Sequence, residues 1–377
     1  MFRTINRHID YSLERVEHAD LDKMVLADLI QYCQERGIST EGSKTDLINA
    51  LMFWKLNTKP IPAPSTPQLF TPELDLPTLS LTAEQQRIEE LNSRGFSELF
   101  LDDDLKFDIP YSDLEIGAKL GSGGFKDCYA GVYKGEPVAI GELRIAQFSE
   151  VDLEDMKHEI KVLKQLRHEN VIRFIGVCTN PRHLCIITEL CTKGDLFDVI
   201  RRYQKPSFPQ QVRYMHDIAF GVSYLHGRRP SIIHRDLKSM NILISADDRA
   251  KVNDFGLARI RPKASALMHT QCGTPNWQAP EFWSSNPSYT EKVDVYACGL
   301  IFWEILTWGE YGYPYQDLNV HAIYTLVRDK DERPPLSKLI NLYPRRLLLL
   351  ITEMWNGNPL KRPSMNQVVD RLSIYLD

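Results

Sequence analysis

Three short polar signatures, in fixed order across the last two-thirds of the chain, constrain its fold more than any other feature. They are His234-Arg235-Asp236-Leu237-Lys238-Ser239-Met240-Asn241, then Asp254-Phe255-Gly256, then Ala279-Pro280-Glu281. Two aspartates and an asparagine offer oxygen donors of the kind a hard cation takes, and Lys238 adds a positive charge two residues past Asp236. Upstream, Leu120-Gly-Ser-Gly-Gly-Phe-Lys-Asp-Cys128 places Gly121, Gly123 and Gly124 between strand-like runs, where absent side chains let backbone amides approach phosphate oxygens. The runs LEIGAKL, CYAGVYK and PVAIGEL read as strands, and longer helical patterns follow from Asp217 onward. An α+β molecule results, with a small β-rich lobe before a larger α-rich one.

This set resembles the eukaryotic-type protein kinases over about Tyr111 to Asp377, and the resemblance implies a bilobal kinase fold, ATP and Mg2+ as cofactors, and protein substrates. Carried over position by position, it implies that Asp236 accepts the substrate proton, that Asn241 and Asp254 hold the metal, and that Lys238 reaches the transferring phosphate. Glu159, on a helix with Ile160, Leu163 and Leu166, falls where the family has the carboxylate partner of a phosphate-binding lysine. Leu184 to Cys191 resembles the strand and hinge that bind adenine, with Thr188 as gatekeeper, the backbone of Glu189 and Cys191 meeting the base, and Asp195 near the ribose. Leu120, Cys128, Ala139 and Leu243 form the apolar walls in that reading. Glu281 and Arg362 match the family's buried ion pair, and Thr274 a contact to the catalytic loop. The run HRDLKSMN with Gly273-Thr274-Pro275 resembles the tyrosine-kinase-like branch, whose members phosphorylate Ser and Thr. Arg235 implies that phosphorylation of the intervening loop, at Ser265 or Thr270, regulates activity.

One departure matters. Where the family's third strand reads Val-Ala-Ile-Lys, this chain has Val138-Ala139-Ile140-Gly141, and the third glycine of the phosphate loop is replaced by Lys126. The same exchange marks the with-no-lysine (WNK) kinases. An ammonium on a flexible stem acts as a point charge from either strand, so Lys126 is expected to replace the missing lysine. The alternative is a pseudokinase that signals by docking, with Lys126 a solvated strand lysine.

The chain of 377 residues divides by composition: an extension over 1–20, a helical hairpin over 21–56, a linker over 57–108 and the kinase-like part over 109–377. Pro60, Pro62, Pro64, Pro67, Pro72 and Pro77 stiffen the linker, and Thr82-Ala83-Glu84-Gln85 opens one short helix there. In the hairpin, Leu26, Leu29, Ile30 and Cys33, then Leu47, Ile48 and Leu51, form two helical stripes. This hairpin resembles a SAP domain, a family often associated with DNA. Its five acids (Asp22, Asp28, Glu35, Glu41, Asp46) against four bases (Lys23, Arg36, Lys44, Lys55) leave a DNA or a protein partner open. A net charge of −5 gives no general field for nucleic acid. Seven scattered cysteines, none in a CxxC pair, indicate neither a disulfide frame nor zinc and fit a reducing compartment. With no apolar run long enough to cross a bilayer, the expected location is cytoplasmic or nuclear, without a membrane partner.

Overall fold

The computed structural model describes residues 48, 51, 107–122, 126–143, 160–180, 183–255, 258–261, 274–284 and 288–376. The chain divides into two compact units, Met1–Leu79 and Ser80–Asp377. In the first, the described positions Ile48 and Leu51 are both helical and both buried, as their three-residue spacing requires. The capping-box helix after the linker lies outside the described residues.

The second unit opens with a five-stranded antiparallel sheet. Its strands are β1 (Leu114–Ser122), β2 (Lys126–Tyr133), β3 (Glu136–Leu143), β4 (Phe174–Asn180) and β5 (His183–Glu189), in the spatial order β1-β2-β3-β5-β4. Lys134 and Gly135, at φ of 51° and 81°, make the two-residue turn that joins β2 to β3 with the right twist. Alternation then divides the sheet. Val138, Ile140, Cys178, Cys185 and Ile187 pack with Ile109 and Leu114 on one face, while Leu143, Phe174, Val177, Leu184 and Ile186 join the large core of the helical lobe on the other.

The helical lobe contains α1 (Leu196–Arg202), α2 (Phe208–His226), α3 (Lys292–Thr307), α4 (Val320–Tyr324), α5 (Arg345–Met354) and α6 (Met365–Ser373), with short ribbons pairing β6 (Ser231–Ile233) to β9 (Arg259–Arg261) and β7 (Ile242–Ile244) to β8 (Ala250–Val252). Helical structure thus begins well before Asp217. Asp195 caps α1 by accepting from the Asp198 amide, and Ser207 precedes α2, whose Pro209 sits in the first turn, where a missing N–H costs nothing. Helix α3 is buried on every side from Val293 to Thr307, which makes it the centre of the lobe. Two carboxylates, Asp294 and Glu304, interrupt its apolar surface.

Candidate active site

The turn Ile233–Asn241 is held from below by the central helix. Asp294, 1% exposed, accepts from the backbone amides of His234 and Arg235, both at 2.9 Å, and from His226 Nε2 at 2.9 Å. Burial pushes its carboxyl up, but the His226 hydrogen bond and the charges of His226 and His234 outweigh that and hold it below its ordinary range. Further along α3, Glu304 accepts from Ser239 Oγ at 2.9 Å and Trp277 Nε1 at 2.8 Å, tying this turn to the segment that follows Gly273. Burial raises the Glu304 carboxyl to about 8. Both carboxylates went unnoticed in the sequence; charged residues inside a helix as apolar as VDVYACGLIFWEILT were the available signal.

Above this support the polar groups converge on Asp236. Its Oδ2 accepts from Lys238 Nζ at 2.9 Å and Asn241 Nδ2 at 3.2 Å, while Oδ1 accepts from the Thr274 amide at 2.8 Å and the Thr274 hydroxyl at 2.9 Å. Lys238 Nζ also donates to Thr274 Oγ1 at 2.7 Å. The Thr274 contact read from sequence is therefore present, and it holds one carboxylate oxygen while Lys238 holds the other. Asn241 spends its Nδ2 on Asp236, including the backbone oxygen at 2.8 Å, and its Oδ1 makes no hydrogen bond among the described residues. Such an oxygen suits magnesium, which takes one or two protein oxygens and fills the remaining positions with phosphate and water. Asp254 stands close in sequence to Asn253, whose amide donates to the Asn241 carbonyl at 2.9 Å. His234 Nε2 meets the Asn253 carbonyl at 2.9 Å, and its ring packs on Phe255 at 5.1 Å, joining the two segments again. Arg235 and Asp254 adopt φ of 69° and 65°, a region costly for side-chain-bearing residues and one that marks functional turns. Arg235 also donates to the Tyr289 hydroxyl at 2.8 Å.

On the sheet side, pairing fixes which groups share a face. Lys126 lies opposite Leu143, Cys128 opposite Gly141, and Ala139 opposite Thr188. These residues therefore line the same surface of the sheet. A β-carbon placed on Gly141 lies 3.5 Å from Lys126 Cδ, so the lysine stem runs over the glycine. Burial pushes the Cys128 thiol up, an effect the Lys126 charge partly offsets. At the end of β5, Glu189 Oε1 accepts from the Arg173 amide at 2.8 Å and pairs with Lys251 Nζ at 3.1 Å, which fixes the strand's exit. The Cys191 carbonyl accepts from the Gly194 amide at 3.2 Å. Asp195 Oδ1 accepts from the Asp198 amide at 2.8 Å as the α1 cap. Leu120 is 54% exposed, and Leu243 is partly buried beside the core. Gly123, Gly124, Glu159, Ser265 and Thr270 lie outside the described residues. Remote from these groups, Arg362 meets Glu281 through two parallel hydrogen bonds of 2.7 and 2.8 Å, the buried pair expected from the sequence.

The protein kinase domain family model matches residues 114–372, and the SAP domain model matches residues 20–52. Among curated proteins, the chain is 35% identical over 283 residues to the serine/threonine-protein kinase CTR1 of Arabidopsis thaliana, covering 74% of this chain and 34% of that protein. It is 36% identical over 269 residues to the serine/threonine-protein kinase STY46 of the same plant, covering 71% and 45%. A Dictyostelium discoideum protein named as a probable serine/threonine-protein kinase, drkB, is 37% identical over 266 residues, covering 70% and 37%. The chain thus spans between a third and a half of these relatives' own lengths. No helix among the described residues is long and apolar enough to cross a membrane. With the matched segment taking in well over half of its length, the chain belongs to the protein kinase family.

Proposed function

We propose that the chain is a serine/threonine protein kinase of the tyrosine-kinase-like branch, in which Lys126 replaces the lysine missing from β3. The observation that carries this reading is the packing at Gly141, where the aliphatic stem of Lys126 occupies the space beside the bare Cα. A cation based on β2 thereby stands on the sheet face it shares with Ala139, Cys128 and Thr188. The relatives' printed names describe serine/threonine kinases, which supports the choice of acceptor.

Bound Mg-ATP supplies the γ-phosphoryl group and the charge neutralisation that a metal provides. Asp236 orients the substrate hydroxyl and takes its proton as the oxygen attacks the γ-phosphorus and the bond to the β-phosphate oxygen breaks. Lys238, held 2.9 Å from that carboxylate, places its positive charge where charge gathers on the transferred group. Asn241 and Asp254 would hold the metal through oxygen, and Lys126 would steady the non-transferred phosphates. The SAP segment directs the enzyme to a nucleic-acid or protein partner in the nucleus or cytoplasm.

Radiolabelled phosphate transfer by the full chain, set beside Asp236→Asn and Lys126→Met, tests the reading. Both variants should lose activity by roughly a hundredfold or more, the scale for removing one oriented charge-stabilising group. Unchanged ATP affinity and turnover in Lys126→Met defeats the relocated lysine. Absence of transfer by the unmodified protein, even after phosphorylation of the activation segment, favours a pseudokinase.

A further inference from the structure

Three rings from three elements meet on the helical lobe. Phe208, at the start of α2, holds Tyr343 and Tyr375 at centroid distances of 5.8 and 5.9 Å. The cluster is fixed from within, because the Tyr343 hydroxyl lies 2.9 Å from both Gln211 Oε1 and the Leu306 carbonyl. On either side of it, the chain neighbours Leu342 and Ile374 are each 66% exposed. A single exposed aliphatic residue is ordinary on a protein surface, but two of them flanking one group of rings form a patch.

The charge beside this patch is positive and uncommitted. After Tyr343 and Pro344, helix α5 begins with Arg345 and Arg346, both exposed. Neither guanidinium makes a hydrogen bond, ion pair or ring contact among the described residues. The start of a helix favours anions, and the first turn of α5 contains no acid to offset the two cations. Other bases here are occupied: Lys205 donates to the Leu306 carbonyl at 2.6 Å and stands 5.5 Å over the Tyr343 ring, and Arg371 on α6 pairs with Glu353. Asp370, one turn before Ile374, leaves the balance positive. Free arginines beside exposed aliphatic groups and rings complement a segment that carries carboxylates along an apolar stripe. An anionic bilayer fits less well, because the chain has a net charge of −5 and two arginines fall short of the roughly four to eight in a polybasic membrane site.

We propose that this face docks an acidic amphipathic helix of a partner protein, with its apolar stripe between Leu342 and Ile374 over the rings and its carboxylates on Arg345 and Arg346. The docking goes beyond phosphoryl transfer and does not depend on it.

Fluorescence anisotropy of the full chain tests it with a labelled helical peptide of about fifteen residues, carrying leucines at i, i+3, i+4 and i+7 with glutamates beside them. The comparison is the same peptide with glutamine for each glutamate. The acidic peptide should bind at least about tenfold tighter, and each of Arg345→Gln and Arg346→Gln should cut that ratio about threefold, the scale of an exposed ion pair. Leu342→Asn and Ile374→Asn should weaken both peptides about fivefold while the melting temperature holds, since both side chains are largely outside the core. Salt at about 0.5 M should erode the acidic preference. Lys134→Asn, an equal change of net charge on the β2–β3 turn, should leave the ratio intact. Equal binding of the two peptides, or an equal fall in Lys134→Asn, overturns the inference. So does co-sedimentation with phosphatidylserine vesicles that Arg345→Gln abolishes in the absence of peptide binding, which assigns the face to a membrane. A dimer that Leu342→Asn dissociates in analytical ultracentrifugation assigns it to a second copy of the chain and overturns the inference equally.

Discussion

At Gly141 the absent side chain is a matter of volume. A methyl group there meets Lys126 Cδ and the Ile186 carbonyl at 3.5 Å each, which is ordinary contact, while anything longer must enter the space the lysine stem holds. Gly141→Ala should therefore keep ATP affinity within a fewfold of the unmodified protein, and Gly141→Leu should lose it by at least about tenfold. Isothermal titration with ATP and magnesium separates the two, and equal affinities in both variants argue against Lys126 as the phosphate-binding group. The loss of the usual lysine and the gain of Lys126 were both plain in the sequence. That the two side chains contend for one space was not, because Lys126 and Gly141 are brought together only by the β2–β3 register.

The elements around the catalytic turn are tied together by buried acids. In the unfolded chain the Glu304 carboxyl ionises near its ordinary 4.5, in the folded protein only near 8. Between those values the folded state keeps a proton the unfolded state has released, so stability falls as pH rises through this window and levels off above it. The slope is set by roughly 1.4 kcal/mol for each unit of difference. Glu304→Gln removes the titrating group, so its melting temperature should vary less between pH 5 and 8 than that of the unmodified protein, a difference of several degrees by calorimetry. A parallel pH profile in the two proteins places the titration elsewhere. The strands β1 to β3 were legible as LEIGAKL, CYAGVYK and PVAIGEL because short runs of apolar, β-branched and aromatic residues stand between glycine-containing turns. Helix α1 and the first half of α2 were not, since α1 spans only seven residues, too few for a helical period to repeat, and Pro209 stands in the first turn of α2. The grip of Asp294 and Glu304 on the turn at Asp236 depends on α3 running beneath it, which no local pattern records.

For the molecule as a whole, the unit Ser80–Asp377 carries the sheet, the catalytic turn and a continuous core of its own. A fragment of residues 80–377 should fold, melt within a few degrees of the full chain's main transition, and bind ATP with unchanged affinity. A fragment that fails to melt cooperatively shows that the N-terminal unit contributes to the kinase core. The packing of Lys126 over Gly141 has a consequence at this scale too. Two positions on neighbouring strands share one space, so neither can revert alone: a lysine restored at 141 meets a site already filled, and Lys126 lost first leaves both positions without a cation. Passage between this arrangement and the common one crosses a valley from either side, and a lineage that has crossed it is held there by the order in which single substitutions must arrive.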